Sequence, residues 1–146
     1  MPTAEEFSRW LEVYRHALID FDAESAGELF TDEAMYYESP FATPVLGRSN
    51  IVTYWRMVAE VMRDVEFGFD VLAATEHVGV ARVHDSLTRI SSGRRVRYDG
   101  IFFARFDEEL RCDEFREWWV EDPTGPTVTG DSAGDPPIDA RPTGNP

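Results

Sequence analysis

Two carboxylates in this chain stand where strand alternation surrounds them with apolar side chains. Between residues 80 and 90, Val83, Asp85 and Leu87 share one side of a two-residue period, and Arg82, His84, Ser86 and Thr88 share the other. Farther on, Asp113, Phe115, Glu117 and Trp119 alternate with Cys112, Glu114, Arg116 and Trp118. Two carboxyls enclosed in one aromatic pocket do not both stay ionised, because lost hydration and mutual repulsion each favour a protonated member. One then acts as acid and the other as base, which suits dehydration, cyclisation or epoxide opening. The plainer reading pairs each with an arginine that reaches over the pocket rim. Tyr14 and Tyr37 offer hydroxyls that either orient a ligand oxygen or rest at the core edge. Trp55, Phe102, Phe115 and Trp119 either line an apolar cavity or simply fill the core.

Other chemistries lack their residues. His16, His77 and His84 fall on different elements without metal-ligand spacing, so no metal is expected. Cys112, the one cysteine, has the wrong parity for the pocket and no evident base, and it excludes an intrachain disulfide. No glycine loop suited to phosphate is present; Gly93 and Gly100 read as turn and sheet-bend residues. No cofactor is therefore expected.

The 146 residues carry 28 acidic and 14 basic side chains, a formal charge of −14, and every basic one is Arg. That balance disfavours nucleic acid and anionic membrane surfaces as partners. No apolar run approaches a membrane span, and no signal segment opens the chain, so a cytoplasmic location is expected.

The elements that must position these groups follow from periodicity. Thr3 and Glu6 form a capping box for a first helix with Phe7, Trp10, Leu11, Tyr14 and Leu18 on one face. Asp22 caps a short second helix that ends near Phe30. Met35 to Ser39 reads as a brief strand closed by Pro40, followed by the loop PFATPVLG. Ser49 is expected to cap a third helix with the stripe Ile51, Val52, Trp55, Val58, Ala59 and Met62. After Asp64 the period is two: strands around Val65 to Val71, Val80 to Ile90, Arg95 to Phe106 and Arg111 to Trp119. About three helices followed by mainly antiparallel strands give an α+β domain over residues 1–121. Residues 122–146, rich in Pro and Gly and poor in large apolar side chains, read as a disordered acidic tail.

This order resembles the nuclear-transport-factor-2-like superfamily of cone-shaped α+β domains. Among its members are ketosteroid isomerases, limonene epoxide hydrolases, scytalone dehydratases and SnoaL-like polyketide cyclases. The resemblance spans about residues 5 to 120, carried by LFTDEAMYYESPFATPVLGRSNIVTYW and YDGIFFARFDEELRCDEFREWW. It implies a strongly curved sheet around a conical pocket, with Phe115, Glu117 and Trp119 facing inward beside Gly100, Phe102 and Ala104. For the isomerases the resemblance maps the oxyanion tyrosine onto Tyr14, the aspartate base onto Ser39 and the oxyanion acid onto Phe102, so two of three roles are missing. For the epoxide hydrolases it maps the two acids onto Asp85 and Glu117 and the bridging arginine onto Val83. Their water-holding tyrosine falls on Tyr37, with Tyr36 open as the alternative, and the partner amide on Ser39 or Glu38.

The expected function is a cofactor-independent lyase, isomerase, cyclase or hydrolase acting on a mostly apolar metabolite. Asp85, Glu117, Tyr14 and Tyr37 would be its catalytic groups, with Ser39, Trp55, Val83, Leu87, Phe102, Phe115 and Trp119 around the ligand. A non-catalytic ligand-binding or dimerisation domain of the same fold is the alternative. Asp85, Glu117, Phe102 and Trp119 are expected to border one internal cavity. On the outward sheet face, Ile101, Phe103 and Trp118 lie beside Arg82, His84, Arg105, Glu114 and Arg116. An apolar patch rimmed by charge predicts a homodimer through that face, with the charges crossing the two-fold axis.

Overall fold

The computed structural model describes residues 3–124; most of the tail predicted from composition lies outside the described residues. Helix α1 (Ala4–Asp20) begins with Thr3 and Glu6 bonded reciprocally, and buries Phe7, Trp10, Leu11, Tyr14, Ala17 and Leu18 along one side. Helix α2 (Ala23–Gly27) is capped by Asp22, which accepts from the Ser25 N–H, and it stops three residues before Phe30. Helix α3 (Arg48–Ala59) starts at Gly47, which makes no side-chain cap. Ser49 thus stands inside the helix, where its carbonyl accepts from the Thr53 hydroxyl. The buried side of α3 is Ile51, Tyr54, Trp55 and Val58. Met62, expected on this helix, instead opens a strand.

Six strands make one sheet: β1 (Phe30–Tyr37), β2 (Val45–Leu46), β3 (Met62–Ala74), β4 (Val78–Arg89), β5 (Arg95–Phe106) and β6 (Cys112–Glu121). Their spatial order is β2-β1-β6-β5-β4-β3, antiparallel except where β1 lies parallel to β6. The helices pack against the inner face, and Phe7, Trp10 and Tyr14 of α1 meet Phe67, Phe102, Phe106 and Phe115 of the strands ring to ring. Strand β1 begins at Phe30, five residues before the expected Met35, because Phe30 and Ala34 also turn into the core.

Alternation holds along β4, where Ala81, Val83, Asp85 and Leu87 are buried and Arg82 and His84 exposed. One parity assignment fails. Cys112 was expected outward, yet it is fully buried, as is Phe115. The ladder slips between Arg105 and Phe106, so Arg105 opposes Glu114 while Phe106 opposes Cys112, and the irregularity lets both Cys112 and Phe115 face in. At Gly100 the backbones of β5 and β6 leave no room for a side chain, since a Cβ there would lie 2.0 Å from the Trp118 carbonyl oxygen. Any side chain at that point would pry the two strands apart.

Candidate functional site

Register assigns each inward side chain to a row across the sheet. Asp85 is opposite Tyr98, and Tyr98 is opposite Glu121. Two inward positions along β6, Glu117 is opposite Phe102, which is opposite Ala81. On a flat sheet, that offset would separate Asp85 and Glu117 by about 13 Å along and about 9.5 Å across the strands. Only the curl of the sheet and the length of intervening side chains can bring their chemistry together.

Tyr36 is that intervening side chain. It is 2% exposed and donates its hydroxyl to Glu117 Oε2 at 3.0 Å. Its ring packs on Phe115 with centroids 5.0 Å apart and on Tyr54 at 5.3 Å. The tyrosine expected at the site, Tyr37, points the other way. Its hydroxyl reaches only the Met35 sulfur at 3.9 Å, and the Arg116 guanidinium covers its ring at 3.9 Å. Alternation along β1 explains the correction: Ala34, Tyr36 and Glu38 are buried, whereas Met35 and Tyr37 are half-buried. The same parity makes Glu38, rather than half-buried Ser39, the inward side chain after the strand.

A small cavity of about 20 Å³ lies between helices and sheet, walled by Tyr14, Leu18, Tyr36, Tyr54, Trp55, Val58, Met62 and Asp85. This is space for one water molecule. Tyr14, Trp55 and Asp85 meet here, and Tyr36 connects the same cavity to Glu117. Phe102, Phe115, Glu117 and Trp119, expected along one cavity with Asp85, are not in its wall. Phe102 and Phe115 are core rings, 4.8 Å apart edge to face, and Val83 and Leu87 are buried beside them in the core. Trp119 is half-buried; its indole N–H donates to the Glu38 carbonyl at 2.9 Å, and Tyr98 packs edge-on against it at 5.1 Å.

Beyond Asp85 the inner face of β4 ends in Arg89, 6% exposed, whose Nη2 lies 3.0 Å from Glu121 Oε1. Arg94 approaches the other oxygen of that carboxylate at 3.8 Å. Two guanidiniums thus converge on one carboxylate at this end of the cone. The resemblance to epoxide hydrolases put Val83 in the arginine's place, and Val83 is indeed no cation. Arg89, six residues on and of the same inward parity, supplies one at the rim. Extending the alternation 83, 85, 87 by one step, and 115, 117, 119 by one step, reaches Arg89 and Glu121. That signal was present in the sequence.

A larger concavity of about 650 Å³ opens at the sheet among outward residues such as Arg82, His84, Arg97 and Asp99, and the inward residues Asp85, Tyr98 and Glu121 also border it. Among the charges that line it, Arg82 bonds Asp99, Arg97 bonds Asp122, and Glu121 lies 3.0 Å from Arg89. Asp85 borders both spaces, and the inner cavity sets Tyr14, Tyr36 and Tyr54 around it among apolar side chains.

The SnoaL-like domain family model matches residues 9–114. The chain belongs to this family. Its fold is the nuclear-transport-factor-2-like cone. Among solved structures it is similar to SalBIII, described as an epoxide hydrolase/cyclase-like enzyme with a role in pyran ring formation in the polyether salinomycin. The TM-score is 0.70 with 17% sequence identity, over 82% of this chain and 95% of SalBIII. A comparison with curated proteins gives no match. Likeness at this identity speaks for the shared fold. Among the described residues of this SnoaL-like chain, no helix is long and apolar enough to cross a membrane.

Proposed function

We propose that this SnoaL-like domain is a cofactor-independent acid/base enzyme that binds a mostly apolar, oxygen-bearing metabolite inside the cone. The observation that carries the reading is the meeting of Asp85 and Tyr36 in the wall of one small cavity, with Glu117 bonded to Tyr36 behind it. Asp85 is the base and takes the proton of a ligand hydroxyl or a water. The freed oxygen attacks an epoxide carbon; a new C–O bond forms as the epoxide C–O bond breaks. For this step Glu117 is protonated and donates to the Tyr36 oxygen, so that Tyr36 turns its own hydrogen to the opening oxygen, gives it up and takes the Glu117 proton, and solvent carries the proton from Asp85 back to Glu117. Tyr14, which shares the cavity wall, orients an oxygen. Epoxide opening is favoured within the wider acid/base class because SalBIII, of the same fold, is described as epoxide hydrolase/cyclase-like.

One observation favours a non-catalytic binding domain instead: the interior is nearly filled, and a ligand larger than water must displace Leu18, Trp55 or Met62. A thermal-shift screen with apolar epoxides, alcohols and ketones tests binding first. Hits bearing an epoxide are then followed by mass spectrometry, where cyclisation leaves the mass unchanged and hydrolysis adds one water. Asp85→Asn is expected to keep binding and to lose about 100-fold or more in turnover. Full turnover by that variant overturns the assignment, and binding without any turnover supports the non-catalytic reading.

We also propose that two copies pair through the outer sheet face. Trp118, 42% exposed, stands opposite Ile101 across β5 and β6. The charges around this patch were expected to cross a two-fold axis. Arg105 instead pairs with Asp113 and Glu114, and Arg116 with Glu114, inside one chain. Apolar contact by Ile101, Phe103 and Trp118 therefore supplies the association.

A further inference from the structure

The indoles in this chain differ in one respect. Trp10 donates its Nε1–H to the Leu29 carbonyl at 3.2 Å, and Trp119 donates to Glu38. Trp118 is exposed to solvent. Trp55 is 5% exposed, and its Nε1 meets no acceptor among the described residues. A buried N–H without a partner is costly to keep, and native proteins rarely keep one without a use. Phe or Leu would fill the same apolar space on α3 without that cost. The ring is also held in place: Tyr14 packs edge to face against it at 5.2 Å and 83°. The held indole lies in the wall of the inner cavity together with Asp85.

We infer that Trp55 is the hydrogen-bond donor that selects an acceptor oxygen on the ligand. This rests on the reading of the cone as a small-molecule site and names the chemistry that the site takes. An indole N–H can only donate, so its partner is a carbonyl, ether, epoxide or hydroxyl oxygen. Trp55 marks where an acceptor oxygen is held, against the apolar wall of Leu18, Val58 and Met62. A pure hydrocarbon of the same shape would fill the space but leave the N–H orphaned.

Cyclohexene oxide and cyclohexene form a matched probe pair that differs by one acceptor oxygen. Both are titrated into the full chain, isotopically labelled and assigned by through-bond spectra, while the Trp55 indole N–H and the methyls of Leu18 and Val58 are followed. The expected result is that both probes move the methyls, and only the oxide moves the indole proton downfield. Trp55→Phe is expected to bind the oxide about three- to tenfold more weakly, removing its advantage over cyclohexene. If the oxide moves the methyls and leaves the indole proton in place, or if Trp55→Phe binds it undiminished, Trp55 is not the selector and the cone still binds ligands. If neither probe moves the methyls, the cone reading itself fails and the inference falls with it. Should Trp55→Phe not fold, the indole shift in the unaltered chain decides alone.

Discussion

The Tyr36 hydroxyl donates to Glu117 Oε2 at 3.0 Å, tying together the two strands of the sheet that run parallel. Both side chains are buried, so the bond is made in a dry place, where its loss costs more than at the surface. Tyr36→Phe is expected to lower stability by about 1–3 kcal/mol. Tyr37→Phe keeps the ring under Arg116 and removes only a long contact to sulfur, so it should change stability by less than about 0.5 kcal/mol. Chemical denaturation of the two variants side by side checks the contrast, and equal losses would remove the distinction drawn between these neighbours.

Gly100 and Gly68 give a second contrast. A Cβ on Gly100 would lie 2.0 Å from the Trp118 carbonyl oxygen and 2.8 Å from the Trp119 Cα, both backbone atoms that cannot yield alone. On Gly68 it would meet the His84 ring at 2.4 Å, but that ring is exposed and free to swing outward. Gly100→Ala should cost about 3 kcal/mol or more, and Gly68→Ala about 1 kcal/mol or less. Melting curves for both substitutions provide the measurement.

Why the inner face of β4 is legible from sequence alone, while Tyr36 and Tyr37 do not separate, comes down to what fixes parity. Along β4 from Ala81 to Leu87 the alternation is regular, so Val83, Asp85 and Leu87 fall on the inner face as their spacing implies, whereas Thr88, expected outward, is buried at the strand's end. At β1 the sequence DEAMYYES holds no long apolar period, and facing is set by the parallel pairing with β6, a long-range contact invisible in local spacing. Cys112 escaped for a related reason, because a ladder irregularity resets the count just before it. The cavity depends on how α1 and α3 lean on the curved sheet. Individual wall residues such as Tyr14 and Trp55 are legible as apolar helix faces, but the way they converge on Asp85 is not.

Burial pushes the Cys112 thiol well above its usual pKa, and its hydrogen donates to the Glu114 carbonyl at 3.3 Å. The reactive thiolate is therefore scarce in the folded chain even in mild alkali. Ellman's reagent should label the native protein only as fast as it opens, while denatured chain should react at once. Rapid stoichiometric labelling at neutral pH without unfolding would show that the thiol is reachable.

Asp122 carries a carboxyl lowered to about 2, first by the Thr124 hydroxyl, then by the Thr124 N–H, then by Arg97. Its ordinary value is 3.8, so the native state favours the ionised form. A depressed carboxyl contributes stability that is fully present above about pH 4 and is lost as pH falls through about 2. The stability gap between the unaltered chain and Asp122→Asn should thus be constant from neutral pH to about 5 and narrow below 4. Thr124→Ala should move the carboxyl titration, followed by carbon NMR, back toward 3.8. An unmoved midpoint would mean that Arg97, rather than Thr124, holds the charge.

In the proposed dimer Trp118 carries the contact, as Asp85 carries the proposed site. The outer patch is small, and the nearest arginines are matched to acids of their own chain, so little electrostatic attraction is left to draw two copies of charge −14 together. Added salt should therefore strengthen a dimer by screening the net repulsion, the opposite of what charge pairs across the axis would give. Trp118→Arg puts like charges face to face at a two-fold contact and removes the largest apolar ring. Light scattering of the full chain at micromolar concentration should report a dimer that tightens from low to moderate salt, and Trp118→Arg should report a monomer of unchanged fold. A dimer that loosens with salt would return the association to ion pairs, and a monomer at every salt concentration would refute the outer-face dimer.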